Sequence, residues 1–397
     1  MRVALVYDCL YPQTVGGAER WLRVLAEDLA RDHDVTYVTR RQWAPGEQPV
    51  PGVRCVGVAP GGELYTHSGR RRLGPPLRFA AGVLAHFARN RDAYDVVHCL
   101  SYPLLPLVAL RLALLGRRRP RVVVEWLEWL SADYWREYAG PLGGRAAMSL
   151  QRLCLRLTPE AICFSDHVAS RLRAAGLRGP LHRLTGLWLG DERRPALPAA
   201  DPPFILFAGR HVPDKRVVLA PDVLAEARRA NPRLRLVALG DGPDRPRLLV
   251  RARELGLDGA LSAPGFVEAD RLSDLFARAA CLLVLSRRDG HGMVVAEAAA
   301  AGTPSVVVRA ADSAAAELVE EGVNGAVADS ARPAEVAAAV DRVLAAGPPL
   351  RERTVAWFAQ NRERLSMAGS IARVREIYLG GHGRVGSSSP SAEATLR

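Results

Sequence analysis

The chain has 397 residues, which is long enough for two domains of ordinary size. Hydrophobic residues make up 49% of it and charged residues 24%, as in a soluble globular protein with an ample core. Its six cysteines are scattered and form no C-x-x-C pair, which favours reduced thiols in the cytoplasm over disulfides or a zinc site. The longest apolar segment, residues 104–115, contains a proline and an arginine, so we expect no transmembrane segment.

The formal net charge is +12, and arginines cluster at 70–72 and 117–121 beside apolar segments at 77–87 and 104–115. Basic residues next to amphipathic helices suggest attraction to an anionic membrane surface, where a lipid-linked acceptor could be met. The alternative is that arginine simply replaces lysine on solvated faces, because Lys215 is the only lysine. No known nucleic-acid motif occurs, so nucleic acid is not an expected partner.

The first structural unit is a strand over residues 3–7, a loop with Gly16 and Gly17, and a helix from about Ala18. Apolar residues in this helix recur at offsets of three and four, so they form one buried stripe. A glycine pair before a helix N-terminus is an arrangement that can bind phosphate. The unit therefore predicts a ligand-binding loop near the start of the chain.

Further apolar runs predict strands that alternate with helical segments through the first half of the chain. Such alternation indicates a parallel sheet covered by helices on both faces, which binds ligands beyond the carboxyl ends of its strands. The expected strands are 35–39, 53–58, 96–99, 122–125 and 161–164, with helices near 77–90, 103–115, 144–157 and 166–175.

Three candidate residues lie at the ends of these strands. His98 is expected to face the cleft, although a histidine held by hydrogen bonds in the core is the alternative. Glu125 ends a strand, and Trp126 follows it in the richest aromatic stretch of the chain. Aromatic faces beside carboxylates suit contact with a carbohydrate, while packing of the aromatics under a long loop is about equally compatible with the pattern.

The periodicity weakens between residues 182 and 203, which marks a domain boundary. A second series of strands follows at 204–207, 234–239, 260–263, 281–285 and 305–308, so a cleft that can close on a substrate is expected between two similar halves. We expect an N-terminal domain over 1–190, a linker over 191–203, a C-terminal domain over 204–350, helices over 351–379 and a disordered tail over 380–397.

Two loops of the second half carry residues suited to a nucleotide sugar. Gly209, Arg210 and Lys215 follow the first strand, and two cations at a strand's carboxyl end would neutralise a diphosphate. Asp289 and Glu297 flank a strand-to-helix turn in the stretch SRRDGHGMVVAEAAAAGTP. Glycines in such a turn let a ligand approach the backbone, and the first N–H groups of the helix can hold an anion.

Together these motifs resemble the large retaining glycosyltransferase family four, whose members have the GT-B fold. The signature of that family is an acid, Gly, an aromatic, Gly, a later Glu and then Gly-x-Pro. These positions are Asp289, Gly290, His291, Gly292, Glu297, Gly302 and Pro304. The sequence departs from the family pattern at Asp289, which is usually Glu, and at His291, which is usually an aromatic residue. The motifs with Gly16, Gly17 and Glu19, with His98, and with Gly209, Arg210 and Lys215 match the family in the same order.

The resemblance covers about residues 1–379 and implies an α/β, GT-B architecture. In it, two Rossmann-like domains with doubly wound parallel sheets face each other across a cleft, and the C-terminal helices over 351–379 return toward the N-terminal domain. It also implies a retaining enzyme that moves a sugar, in the manner of a hexosyltransferase, from a nucleoside-diphosphate donor to a glycan, lipid-linked or small-molecule acceptor. The pathway would be polysaccharide or glycolipid biosynthesis in the cytoplasm, with peripheral contact at the inner face of the membrane left open.

The resemblance further implies roles for single residues. Arg210 and Lys215 would stabilise the departing diphosphate, Asp289 would bind sugar hydroxyls and His98 would contact the donor sugar. Donor contacts are expected at Gly16, Gly17, Gly209, Gly290, His291, Gly292, Met293, Val294 and Glu297, and acceptor contacts at Glu19, Glu125 and Trp126.

Metal independence is the expectation for catalysis. No D-x-D motif precedes a strand end in the context that a metal-dependent enzyme requires, and two cations make a divalent ion unnecessary. No cofactor is expected beyond the nucleotide sugar itself, which is a co-substrate.

Two other functions remain compatible with these residues, and a third is disfavoured. Asp289 in place of Glu motivates a non-catalytic GT-B partner or regulatory subunit. A nucleotide-sugar epimerase or phosphorylase could use the same fold. A hydrolase with paired carboxylates would leave the loop with Arg210 and Lys215 unexplained.

Overall fold

The computed structural model describes residues 1–64, 66, 71–116, 120–190 and 197–380. The first half of the chain forms one sheet of seven parallel strands in the order β3-β2-β1-β4-β5-β6-β7. Its elements are β1 Arg2–Val6, α1 Gly17–Leu29, β2 Asp34–Arg41, β3 Arg54–Pro60, α2 Gly74–Arg89, β4 Val96–Leu100, α3 Leu104–Ala113, β5 Arg121–Glu125, α4 Ala132–Arg156, β6 Ala161–Cys163, α5 Asp166–Ala174 and β7 Leu181–Arg183.

The second half forms a six-stranded parallel sheet in the order β10-β9-β8-β11-β13-β15 and a small pair, β12 with β14. Its elements are β8 Phe204–Ala208, α6 Ala220–Ala227, β9 Arg235–Leu239, α7 Arg245–Glu254, β10 Leu261–Gly265, α8 Ala269–Arg278, β11 Cys281–Val284, β12 Arg288–Asp289, α9 Met293–Ala300, β13 Ser305–Val308, β14 Asp312–Ser313, β15 Gly325–Ala328, α10 Pro333–Leu365 and α11 Met367–Tyr378.

Both sheets are covered by helices on both faces, as the apolar runs predict. In β4 and β11 every residue is buried, so these strands carry no polar face. The helix α1 buries Trp21, Leu22 and Leu25 against the first sheet, on the stripe expected from their spacing. The expected α/β architecture of two doubly wound parallel-sheet domains is therefore confirmed.

The structure differs from the sequence expectations in two elements of the first domain. The short edge strand β7 was not expected, and α4 begins at Ala132 and not near residue 144. The earlier start follows from Ser131, whose hydroxyl accepts a hydrogen bond from the Tyr134 N–H and caps the helix. The aromatic stretch after residue 132 is therefore helical. A kink at Gly140, where φ is 75°, separates it from the part of the helix that was expected.

The last two helices connect the domains. In α10, which is kinked at Gly347, Trp357 and Phe358 pack in the C-terminal domain. In α11, Val374 and Ile377 pack in the core of the N-terminal domain, so only this last helix returns there. The two chain crossings are joined to each other, because the Trp188 N–H donates to the Leu365 carbonyl and the Met367 N–H donates to the Trp188 carbonyl.

Several sequence expectations fall outside the described residues. These are the arginines at positions 70 and 117–119, the linker residues 191–196 and the tail residues 381–397. In the part of the chain that the structure describes, no helix has both the length and the hydropathy that a membrane span needs.

Candidate active site

The centre of the cleft is built by two helix N-termini from different domains that face each other. The helix α1 begins after Gly16 and α9 begins after Gly292, so the N-cap residue of each helix is a glycine, which has no side chain to cap the first N–H groups. A Cβ atom added at Gly17 would lie 2.6 Å from Sδ of Met293, so the two termini are in close contact. Both helix ends present partial positive charge to the same small space.

Asp289 is fixed at the mouth of α9. Its Oδ1 accepts hydrogen bonds from the Gly292 N–H at 2.7 Å and the His291 N–H at 3.3 Å, and its Oδ2 lies 2.5 Å from Nζ of Lys215. Burial alone would raise the pKa of this carboxyl, but the charge and hydrogen bond of Lys215 together with the two backbone hydrogen bonds outweigh burial, and the pKa is lowered. Asp289 is therefore an anion held against a cation and two backbone donors.

The two glycines of this turn are required for different reasons. Gly292 has φ 83°, a left-handed conformation, and a Cβ there would lie 2.8 Å from Cα of Ala315. A Cβ at Gly290 would lie 2.0 Å from the carbonyl oxygen of Leu127, which belongs to the N-terminal domain. The turn thus depends on glycine for its own shape and for its close approach to the other domain.

Glu297 lies on α9 and reaches across the cleft to α1. Its Oε1 is 3.4 Å from Nη1 of Arg20, and burial raises the pKa of the Glu297 carboxyl although Arg20 opposes this. Arg20 was not among the residues predicted from the sequence. It stands next to Glu19 on the first turn of α1. The ion pair between Arg20 and Glu297 therefore joins the two helices that follow the predicted glycine loops.

The predicted acceptor residue Glu19 lies against its own helix N-terminus. A Cβ at Gly16 would meet its Oε2 at 2.3 Å, and the Tyr7 hydroxyl donates to its Oε1 at 3.3 Å. Burial raises the pKa of Glu19, while the positive charge of Arg210 acts to lower it. Arg210 from the C-terminal domain therefore lies within electrostatic reach of the loop with Gly16 and Gly17.

Gly209 and His291 lie beside these groups. The Gly209 N–H donates to the Leu239 carbonyl at 3.1 Å, which holds the loop at the carboxyl ends of β8 and β9. The His291 ring contacts the N-terminal domain, where its Nδ1 lies 2.9 Å from the carbonyl oxygen of Phe164. The His291 and Gly292 N–H groups donate to Asp289. The N–H groups of Met293 and Val294 are the first two of the helix α9.

Three predicted residues are not in the cleft. The side chains of His98 and Glu125 are 0% exposed and Trp126 is 1% exposed. His98 Nδ1 lies 2.7 Å from the Tyr378 hydroxyl, and its Nε2 lies 3.1 Å from Glu125 Oε2, which also accepts from the Trp21 indole N–H at 2.9 Å. The expectation that His98 and Glu125 face the cleft is therefore wrong. They form a buried polar cluster that joins β4, β5, α1 and α11.

The placement of Trp126 corrects the third expectation. Its indole N–H donates to the Thr158 hydroxyl at 3.2 Å, and its ring packs against Trp129 in the core under α4. A buried ring of this kind supports the domain and offers no face to an acceptor.

Sequence reasoning missed Arg288, which crosses the cleft beside Asp289. Its Nη1 donates to the Tyr134 hydroxyl at 2.7 Å and to Asp214 Oδ2 at 3.3 Å, and its Nε bonds to Glu128. In the sequence, the only indication of a role for Arg288 is its position directly before Asp289. Arg288 ties the turn before α9 to α4 and to the loop that precedes α4.

A second missed group lies at the carboxyl ends of the first sheet. Asp8, which follows β1 and is fully buried, pairs with Arg71 from the segment before α2. The Arg71 guanidinium lies 5.2 Å from the ring centre of Tyr102, and that of Arg288 lies 5.9 Å from the same ring. Together these residues form the polar wall of the cleft on the side of the N-terminal domain. In it Tyr102 and Arg288 are partly exposed, and the buried pair of Asp8 and Arg71 packs against Tyr102.

Metal-ligating side chains are not grouped in the described residues. No set of three or more His, Cys, Asp or Glu side chains there is placed to hold a metal ion. Metal independence remains a prediction, because the donor complex itself has to be tested.

The comparisons with known proteins cover both domains. The profile described as "Glycosyltransferase Family 4" matches residues 15–184, and that of "Glycosyl transferases group 1" matches residues 190–357. A D-inositol 3-phosphate glycosyltransferase of Xylanimonas cellulosilytica is 36% identical over 368 residues, which are 83% of this chain and 84% of that one. A protein of the same name from Thermomonospora curvata is 33% identical over 211 residues, which are 50% of this chain and 47% of that one.

Solved structures share the whole architecture. Sucrose-phosphate synthase from Thermosynechococcus elongatus superposes with a TM-score of 0.76 at 18% identity, covering 96% of this chain and 98% of that one. HepE of Anabaena, in complex with UDP and glucose, gives a TM-score of 0.68 at 20% identity, covering 95% and 99%. At these identities the superpositions establish the fold. With the family profiles and the Xylanimonas relative, they show that this chain is a glycosyltransferase of group 1, family four, with the GT-B fold.

Proposed function

We propose that the protein transfers a sugar from a nucleoside-diphosphate donor to an acceptor hydroxyl with retention of the anomeric configuration and without a metal ion. The observation that carries the proposal is the pair of facing helix N-termini at Gly16 and Gly292, one from each domain. Such a pair suits an anion bound between the domains, because both helix ends offer N–H donors and partial positive charge.

The charged groups around this space fit a diphosphate that becomes a leaving group. Lys215 supplies a compact cation and Arg210 a planar guanidinium at the carboxyl end of β8. As the bond between the sugar C1 and the phosphate oxygen breaks, negative charge grows on the diphosphate, and preorganised cations stabilise it. Both residues are supplied by the domain that also holds Asp289.

The proposed step needs no nucleophile from the protein. The acceptor oxygen attacks the sugar C1 from the face that the diphosphate leaves, so the new C1–O bond forms on the side where the old one breaks. A phosphate oxygen takes the acceptor proton. Asp289 is proposed to bind hydroxyls of the sugar, since its anionic carboxylate stands at the mouth of α9.

The ribose of the donor is proposed to bind at Glu297. This carboxylate contacts Arg20 at 3.4 Å, and its side chain is 28% exposed, so ribose hydroxyls can reach it. For the donor base, uracil is suggested by the HepE structures, one of which contains UDP and glucose and another UDP-glucose. A UDP-sugar is therefore the first donor to test.

The acceptor is proposed to bind beside Tyr102 and Arg288, which are partly exposed, in front of the buried pair of Asp8 and Arg71. Carboxylate and guanidinium groups beside an aromatic ring suit a polyhydroxylated acceptor, through hydrogen bonds and apolar contact. The relatives named D-inositol 3-phosphate glycosyltransferase make phosphorylated inositol one acceptor for the test panel. Glycan and lipid-linked acceptors complete that panel.

The first experiment is thermal unfolding of the protein with UDP, GDP, ADP, dTDP and their sugar conjugates, with and without EDTA. A ligand at about a hundred times its Kd adds about 2.7 kcal/mol to the free energy of unfolding. We expect one base to raise Tm, EDTA to leave the shift unchanged, and Glu297→Gln to abolish it. Glu254→Gln, which removes a charge on the distant surface of α7, is the matched control and should keep the shift.

The product of the reaction tests the chemistry. NMR of the glycoside should show the anomeric configuration of the donor, and free sugar phosphate or an interconverted donor would instead indicate a phosphorylase or an epimerase. Absence of a Tm shift with every nucleotide would overturn the donor-site proposal and favour a non-catalytic GT-B protein.

A further inference from the structure

Three neighbouring helices of the N-terminal domain share an apolar outer surface. The helices α2, α3 and α4 bury their inner sides in one core on the same face of the sheet. Their outer sides expose seven leucines, out of thirteen large hydrophobic residues exposed in the described part of the chain. We name this surface the leucine face, which consists of Leu73, Leu77, Leu84, Leu112, Leu115, Leu142 and Leu153.

Several of the leucines are grouped along the sequence of their helix and are not isolated. Leu73, Leu77 and Leu84 lie at offsets of four and seven, which places them on one side of α2 and its first turn. Leu112 and Leu115 follow at an offset of three at the end of α3. Single exposed leucines are ordinary on a protein surface, but a grouped set is typical of a surface that contacts another apolar phase.

The same surface is free of negative charge over long stretches of sequence. Residues 73–91, 96–124 and 138–159 contain no aspartate or glutamate, although acidic residues make up 42 of 397 in the chain. Exposed arginines stand among the leucines and, within the described residues, none of them forms an ion pair with a carboxylate. They are Arg78, Arg89, Arg145, Arg152 and Arg156.

We propose that the leucine face docks on an anionic lipid bilayer. The arginines attract the negative surface, and the leucines enter the boundary between head groups and acyl chains. Charge complementarity alone would also fit a nucleic acid or an acidic protein. Seven exposed leucines favour a bilayer, since the transfer of their side chains from water to an apolar phase lowers the free energy.

The orientation of the helices connects this surface to the cleft. Arg71 precedes α2, Tyr102 precedes α3 and Tyr134 lies in the first turn of α4, and all three contribute to the polar wall or to the contacts of Arg288. The three docking helices thus begin at the proposed acceptor side of the cleft. The inference therefore names the acceptor class as membrane-borne and, for this last step, rests on the proposed function.

The test is co-sedimentation of the full chain with vesicles. One set is phosphatidylcholine alone and the other contains about one third phosphatidylglycerol, to provide the anionic surface. We expect binding to the anionic vesicles that weakens with salt, as for charged groups near a surface. The double variant Leu77→Asp, Leu84→Asp should bind these vesicles at least about tenfold more weakly, because it removes apolar area and adds negative charge.

Two further variants sharpen the result. Val250→Asp changes an exposed apolar residue on α7 of the other domain and should leave vesicle binding unchanged. Arg78→Gln, Arg152→Gln keeps every leucine and should reduce binding to anionic vesicles only. Full vesicle binding by the leucine double variant, or equal binding to both vesicle sets, would overturn the proposal. Binding to heparin, a soluble polyanion, without binding to vesicles would overturn it as well.

Thermal unfolding with UDP separates this inference from the proposed function. Every variant should keep the nucleotide shift, since none of the changed residues lies in the cleft. A nucleotide shift without vesicle binding overturns the docking proposal alone. Vesicle binding without a shift by any nucleotide overturns the donor-site proposal alone.

Discussion

The ammonium of Lys215 and the carboxylate of Asp289 lie 2.5 Å apart, on two different loops at the carboxyl end of the second sheet. Their side chains are 25% and 15% exposed, so the pair is accessible from the cleft but shielded from bulk water. A donor that binds here must share both groups, with the diphosphate near the cation and the sugar hydroxyls near the anion.

We expect Lys215→Met to lower kcat for transfer by about a hundredfold to a thousandfold, the range typical for loss of one charge-stabilising donor. The measurement is product formation at saturating donor and acceptor. Arg309→Met, which removes an exposed cation paired with Asp329, is the control and should keep full activity. An unchanged kcat in Lys215→Met would show that Lys215 does not stabilise the leaving group.

Gly292→Ala should destabilise the folded protein by about 1–3 kcal/mol, because the left-handed backbone disfavours a side chain. The added Cβ would also meet Cα of Ala315 at 2.8 Å. Urea unfolding measures the change. Gly259→Ala is the matched control, since its Cβ would meet no atom within 4 Å and its φ is not positive. Equal stabilities of the two variants would contradict the assigned geometry of the turn.

The buried cluster around His98 should affect stability more than nucleotide binding. Tyr378→Phe removes the hydroxyl that lies 2.7 Å from His98 Nδ1, and we expect a loss of about 1–2 kcal/mol in urea unfolding. The Tm shift produced by the donor nucleotide should remain. Loss of the nucleotide shift with unchanged stability would instead place this cluster in the donor site.

A pH-dependent part of the stability is expected from Glu160. Burial opposes ionisation of this carboxylate, but hydrogen bonds from His182 and Arg121 lower its pKa to about 2. Because the folded-state pKa lies below the unfolded value of about 4.5, this stabilisation is present above that value and disappears as pH falls toward 2. The side chain is only 9% exposed, so solvent screening is modest.

The corresponding measurement is urea unfolding of the wild type and of Glu160→Gln at neutral and acidic pH. We expect the variant to be about 1–3 kcal/mol less stable at pH 7 and the difference to shrink in acid. A difference that stays constant across this range would show that the effect comes from packing and not from the charge of Glu160.

The fold follows from the sequence because most strands are continuous apolar runs between periodic helices. The signature turn could also be predicted, since the spacing of Asp289, Gly290 and Gly292 marks a tight turn directly before a helix-forming run. His98 shows why other site residues were not. Every residue of β4 is buried, so the polar alternation that would reveal the side facing the cleft is missing.

Arg288 illustrates a second reason. Its neighbours Tyr134 and Glu128 are more than a hundred residues away in the chain, so its role depends on how the domains approach each other. Asp8 could have been predicted in principle, because it lies just after the end of β1, and parallel sheets bind ligands beyond the carboxyl ends of their strands. Its pairing with Arg71 still depends on a loop whose course the sequence does not define.

The joined crossings at Trp188 and Leu365–Met367 have a mechanical consequence for the cleft. Because both connections pass through one hydrogen-bonded point, the domains share a single pivot in place of two independent tethers. Rotation about such a pivot displaces each residue in proportion to its distance from it. An opening of the cleft would therefore leave residues next to Trp188 nearly in place and would carry the far rim along an arc.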